Sequence, residues 1–145
     1  MPEHRIRALA LGVFRRGDAI LVGEGYDPIK DQIFYRPLGG GIEFGEHSLV
    51  ALHREMQEEI GAEIKNARLL GTVENIFVFN GVPGHEIIQI YEAEFVDESF
   101  YAQASFVVNE GPLIGKALWM SLGDFQNGAT PLYPDGLLSL LTKNL

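Results

Sequence analysis

Residues 39–60 constrain this chain more than any other stretch. Gly39-Gly40-Gly41 comes first, then a short polar segment. Leu49, Leu52, Met56 and Ile60 follow at the spacing of a single helix face. The pattern predicts an amphipathic helix over His47–Ile60, with Ser48 as cap and Gly61 as stop. At about 100° per residue, Glu55, Glu58 and Glu59 share an arc of about 100° beside the apolar stripe. Carboxylates that close repel one another, and a divalent cation removes the repulsion. All-oxygen ligands select a hard ion such as Mg²⁺, Mn²⁺ or Ca²⁺. The glycine run ahead of the helix lets backbone groups approach a ligand with no side chain in the way. Amides at a helix entrance favour anions. Carboxylates, a hard cation and an anion-accepting loop together point to metal-assisted phosphoryl chemistry.

The remainder of the chain narrows the setting. Its 145 residues suit one domain, 1–145, and 46% of them are hydrophobic. Twenty acidic residues against eleven Lys and Arg leave a net charge of −9, which disfavours binding to a nucleic-acid polymer. There is no cysteine, so no disulfide, thiolate nucleophile or zinc–cysteine site can form. No apolar run approaches the ~18 residues of a membrane span. Ala8–Phe14 runs straight into Arg15-Arg16 and reads as a buried strand rather than a secretory leader. A cytoplasmic setting is expected, and a homodimer is compatible with this composition.

The elements alternate irregularly. Arg5–Phe14 and Ala19–Gly23 read as a hairpin turning at Gly17, Ile33–Pro37 and Ile42–Phe44 as short strands. Leu69–Phe79 and His85–Phe95 are long strand-like runs joined by the turn Asn80–Gly84. Apolar residues on both faces of Thr72–Phe79 predict a strand covered on both sides. Asp97–Gly115 reads as a long connection, Ala117–Ser121 as a strand, and Leu122–Phe125 and Asp135–Leu141 as helices. The class is α+β, with a mixed sheet, one central helix and one C-terminal helix.

At this point a family resemblance becomes visible. Gly40, Glu46, Arg54, Glu55, Met56, Glu58, Glu59, Gly61 and Ala62 fill every fixed position of a pattern that resembles the Nudix box, G-x5-E-x7-R-E-U-x-E-E-x-G-U, where U is apolar. The stretch reads GGIEFGEHSLVALHREMQEEIGA. The resemblance implies an α/β/α sandwich and a hydrolase for a nucleoside diphosphate linked to another moiety. It implies Glu58 and Glu59 as the main ligands of Mg²⁺, with Mn²⁺ as a substitute. It implies Glu55 as a ligand or as the group that deprotonates water, Glu46 as a ligand of a further ion, and Arg54 as the residue that holds the glutamates. The Gly39 carbonyl would be a backbone ligand. One departure stands out: many members have proline directly before the paired glycines, whereas here Leu38 stands there and Pro37 lies one place earlier.

Outside the box, the resemblance offers Glu110 as an extra ligand or general base carried by the long connection. Arg36 and Glu86 are candidates for contact with substrate, and Tyr26, Tyr35, Phe77 and Phe79 for stacking on a base. Trp119 reads as core. The residues just past the box carry neither the proline of some ADP-ribose hydrolases nor the tyrosine of some dinucleoside polyphosphate hydrolases. Their absence identifies no substrate; the resemblance leaves a nucleoside triphosphate or a nucleotide sugar as the expected class. The rival reading is a non-catalytic nucleotide-binding module of the same fold, but such modules typically lose the glutamates that this chain retains.

Overall fold

The computed structural model describes residues 4–110, 113–128 and 130–143. Two sheets form its middle layer. The first is mixed and contains β1 (Arg7–Val13), β5 (Leu38–Gly41), β6 (Ile64–Phe79) and β7 (Val82–Phe95), in the order β5-β1-β7-β6. Strand β1 runs parallel to β7 and antiparallel to β5. The second sheet is antiparallel. It contains β2 (Arg15–Arg16), β3 (Ala19–Asp27), β8 (Ser105–Glu110) and β9 (Leu113–Ser121), with β4 (Gln32–Arg36) paired to β3.

The alternation of strand side chains creates two apolar layers. Leu9, Leu11 and Val13 of β1 join Ile20 and Val22 of β3 in one. Ala10 and Leu21, one residue out of phase, join the other. Helix α1 (Ser48–Ile60) closes the second of these layers with Ala51, Leu52 and Met56, all fully buried. The short helices α2 (Gly123–Gln126) and α3 (Leu137–Lys143) close the first with Phe125, Leu137 and Leu141. The arrangement is the α/β/α sandwich implied by the resemblance. Among the described residues, no helix is long and apolar enough to cross a membrane.

Several local expectations change. Helix α1 begins as expected, but His47 is its cap residue and makes no side-chain cap bond. The Ser48 hydroxyl is committed elsewhere, to the Tyr91 hydroxyl at 2.6 Å. Gly61 ends the helix at φ 67°, with its N–H donating to the Gln57 carbonyl. The glycine run is itself a strand, β5, and Ile42–Phe44 is not. Glycine is needed there for closeness: Gly39 sits at φ 143°, and a Cβ on it would run into the Ala10 carbonyl oxygen of β1.

The expected first hairpin is split between sheets. Its second half, β2 with β3, is a true hairpin, whereas β1 belongs to the other sheet. Strand β6 is an edge strand instead of a doubly covered one, and Ile76 on its outer face is 71% exposed. Its apolar residues are shared between the cleft described below and the open face. The turn after β6 is tighter than expected: Asn80 and Gly81 alone make it, both at positive φ. The described part of the long connection forms regular structure. A 3₁₀ turn at Glu98–Tyr101 leads into β8, so Glu110 ends a strand and pairs in register with Leu113, not in an extended loop.

Candidate active site

Strand β5 and helix α1 are antiparallel neighbours in sequence that pack face to face, and this brings the glutamates onto the glycines. Glu59 is 7% exposed, and its Oε2 accepts a hydrogen bond from the Gly39 N–H at 3.1 Å. Glu55 lies over Gly40: a Cβ there would stand 2.5 Å from the Glu55 carboxyl carbon. Only glycine at position 40 leaves room for the Glu55 carboxylate against this strand.

Arg54 gathers the rest. Its Nε and Nη2 each reach a Glu46 carboxylate oxygen at 2.9 Å, Nη1 reaches Glu55 at 2.9 Å, and Nη2 also donates to the Gly41 carbonyl at 2.9 Å. Glu58, 57% exposed at the side chain, sits 3.4 Å from Nη1. Hydrogen bonds from Arg54 and then from the Glu43 backbone N–H hold the Glu46 carboxyl down to about 2. Hydrogen bonds to Glu46 and then to Glu55 push the Arg54 guanidinium upward, against the opposing effect of burial. The last turn of α1 contains no basic residue to balance the helix dipole, although Glu58 and Glu59 lie there at its negative end. The helix therefore carries two acids where its own electrostatics oppose them.

Of the box residues, Gly39, Gly40 and Glu59 line a cleft of about 810 Å³. Arg7, Arg36 and Glu86 line its middle. Glu86 is 4% exposed, with Arg36 at 3.6 Å and Arg7 at 3.9 Å from its oxygens. Phe34, Phe77, Phe79 and Tyr133 line the rest. Phe34 meets Phe79 and Tyr133 edge-on, with ring centroids 5.8 and 5.6 Å away. Buried Asp27 braces this end. Its carboxylate accepts from the backbone N–H groups of Ile29, Lys30 and Asn80, tying the β3–β4 turn to the β6–β7 turn. Burial pushes the Asp27 carboxyl up, but these hydrogen bonds outweigh it and the net shift is downward.

This combination, a box helix docked on a glycine strand at the mouth of a cleft, has a counterpart among known proteins. The NUDIX domain family model matches residues 3–136. The chain belongs to this family. It is a Nudix hydrolase and, at the general level, a pyrophosphohydrolase. Its fold is similar to solved structures across nearly their whole length. A MutT NUDIX hydrolase from Burkholderia pseudomallei is 23% identical, with TM-score 0.67 over 95% of this chain and 98% of that one. A NUDIX hydrolase from Nitrosomonas europaea is 17% identical, with TM-score 0.68 over 97% and 88%. The ORF135 protein of E. coli is 20% identical, with TM-score 0.62 over 97% and 91%.

The predicted box residues Gly39, Glu46, Arg54, Glu55, Glu58 and Glu59 thus come together around β5 and the start and end of α1. Arg36 and Glu86 join them through the cleft. Among the described residues, no three carboxylate or imidazole side chains converge as a ready-made cation cage, because Arg54 spans Glu46, Glu55 and Glu58. The donor set is nonetheless all oxygen: the Glu55 carboxylate rests in a cradle that a Cβ on Gly40 would fill, and Glu59 is held by the Gly39 N–H. That chemistry fits a hard divalent cation. The Glu110 side chain lies outside the described residues.

Of the proposed stackers, Phe77 and Phe79 line the cleft. Tyr35 packs into the apolar layer beside Phe125 of α2, and exposed Tyr26 donates to Asp31. The sequence reading missed Arg7, Asn75, Phe34 and Tyr133. A lone Asn amid the apolar run of β6 was the available signal for Asn75. The others become neighbours only through sheet pairing.

Proposed function

We propose that this Nudix hydrolase is a Mg²⁺-dependent pyrophosphohydrolase for a nucleoside triphosphate or a nucleotide sugar. One observation carries the reading: the Glu59 carboxylate, bound to the Gly39 N–H, lies at the end of the same cleft that presents Arg7, Arg36 and the aromatic wall. A diphosphate spanning that cleft would meet cations and a metal-binding end, and a base would meet rings.

In this reading Glu55, Glu58, Glu59 and the Gly39 carbonyl would hold Mg²⁺, with Mn²⁺ as substitute, and Glu46 a further ion. Such an ion, when bound, supplies neutralisation of the diphosphate charge and acidification of water. The protein does the rest. Arg36 and Arg7 bind and orient phosphate oxygens. Arg54 keeps Glu46 and Glu55 in place by charged hydrogen bonds. The attacking water forms a new P–O bond and passes its proton to a carboxylate, Glu55 or Glu110. The anhydride P–O bond breaks, and its electron pair leaves with the departing phosphate oxygen. Residues 1–145 act as one catalytic domain in the cytoplasm, alone or as a homodimer.

A product-resolved screen of nucleoside triphosphates and nucleotide sugars with Mg²⁺ and with Mn²⁺ tests this. Metal-dependent release of a mononucleotide with pyrophosphate or a sugar phosphate is the expected result. No turnover of either class with either ion would reject it, in favour of a non-catalytic nucleotide-binding module.

A further inference from the structure

Two buried acceptors in the cleft have no hydrogen-bond partner among the described residues. Asn75 and Glu86 face each other across β6 and β7 in register, and each is 4% exposed. Asn75 Oδ1 and Glu86 Oε1 receive no hydrogen bond from the described residues. Arg36 stands 3.6 Å from that Glu86 oxygen, an ion-pair separation beyond hydrogen-bond length. Buried acceptors are nearly always satisfied, and an unsatisfied pair costs stability unless something fills it.

Their surroundings say what fills them. Directly opposed residues in an antiparallel pair project to one face, with Cβ atoms about 5 Å apart. The next pair on that face is Phe77 with Gly84, and the Phe77 ring lies across Gly84, where any Cβ would strike it. Asn75, Phe77 and Glu86 all line the cleft. The pairs thus place an aromatic ring next to two side-by-side acceptors. An ionised carboxylate and an amide oxygen can only accept. Arg7 and Arg36 compensate the charge of the buried carboxylate.

We propose that Asn75 and Glu86 are specificity-determining residues that read a nucleobase edge carrying two adjacent N–H donors, as guanine does with its ring N–H and neighbouring amino group. This rests on the proposed nucleotide substrate and deepens it. Bases without adjacent donors leave at least one of the two oxygens unpaired, which a buried polar site penalises strongly.

The test compares ligands that differ in one donor. Deoxyguanosine and deoxyinosine monophosphate differ only in the amino group. Calorimetric titration of the full chain, with Mg²⁺ and again in EDTA, should show the guanosine nucleotide bound at least about tenfold more tightly, the loss expected for one hydrogen bond to a charged group. The substitution, Asn75→Leu or Glu86→Gln, that removes the acceptor facing the amino group should bring the ratio towards one, and the other should weaken both nucleotides alike. Circular dichroism of both variants checks that they fold. If Asn75→Leu does not fold, Glu86→Gln, nearly identical in shape, carries the test. Equal affinities in the wild type, or no measurable affinity for either nucleotide, overturn the proposal. The two readings fail separately. Discrimination without any triphosphate hydrolysis keeps the base site and rejects the hydrolytic role, whereas hydrolysis without discrimination does the reverse.

Discussion

Arg54 grips Glu46 with two parallel hydrogen bonds, Nε to Oε2 and Nη2 to Oε1, both 2.9 Å long. The fork geometry of a guanidinium matches a carboxylate in this way, and an ammonium cannot reproduce it. The same guanidinium reaches Glu55 and the Gly41 carbonyl, so one side chain links the entry of α1, its middle and strand β5. Arg54→Lys keeps the charge but loses the fork. Turnover should fall about 10- to 100-fold, the usual cost of disturbing the groups that orient metal ligands. Steady-state rates at saturating Mg²⁺ decide it, and a lysine enzyme with wild-type turnover would reject a geometric role for Arg54.

The Glu46–Arg54 pair also predicts an acid response. Glu46 has its carboxyl held at about 2 in the fold, against an ordinary 4.5. A depressed value means that the ionised form is favoured by folding. Its contribution is fully present above pH 4.5 and disappears as the pH falls towards 2. Urea midpoints of wild type and Glu46→Gln should therefore differ near neutrality and converge across that window. A gap that stays constant down to the lowest pH would show that the ion pair is not its source.

Gly39 and Gly40 are adjacent, yet their substitution by alanine should have opposite consequences. Gly39→Ala places a Cβ against the Ala10 carbonyl at a φ of 143°, so backbone must move. Destabilisation of about 3 kcal/mol or more is expected from the strain and clash together. Gly40→Ala meets only the end of the Glu55 side chain. That end can swing away, so stability should change little while turnover drops. Thermal midpoints and rates measured on both variants separate the effects. Comparable midpoints for the two would contradict the packing of β5 against β1.

Glu59→Gln preserves shape and leaves an oxygen to accept from Gly39, but removes a charge. Turnover should fall by about 10²–10⁴ with the fold retained. In the wild type, Mg²⁺ should raise the thermal midpoint through binding to the folded state, by about 2.7 kcal/mol at a hundredfold excess over Kd. The variant should lose most of that rise. Equal Mg²⁺ responses in both proteins would remove Glu59 from the metal site.

A further contrast addresses the proton acceptor. Loss of the acceptor should lower turnover strongly while leaving Mn²⁺ affinity of the free enzyme nearly intact, whereas loss of a ligand lowers both. Glu55→Gln and Glu110→Gln, measured for both quantities, assign the role to one or the other. Unchanged turnover in Glu110→Gln would leave Glu55.

The sequence by itself determined the helix and the face on which its glutamates stand. Helical periodicity is local, so the stripe of Leu52 and Met56, the stop at Gly61 and the shared face of Glu55, Glu58 and Glu59 follow from spacing alone. The box pattern did the same for Gly40, Glu46 and Arg54. Tertiary structure decided what those residues meet. Gly39–Gly41 looked like a loop because nothing local reveals that β1 passes close enough to exclude a Cβ at Gly39. The edge position of β6 and the division of β1 and β3 between two sheets depend on strand pairings far apart in sequence. Hydrophobic alternation does not encode which strands pair. The cleft is the clearest case. Asn75, Glu86, Arg7 and Arg36 lie on four different strands, and only the pairing of β1 with β7, of β7 with β6, and the packing of the two sheets make them one site.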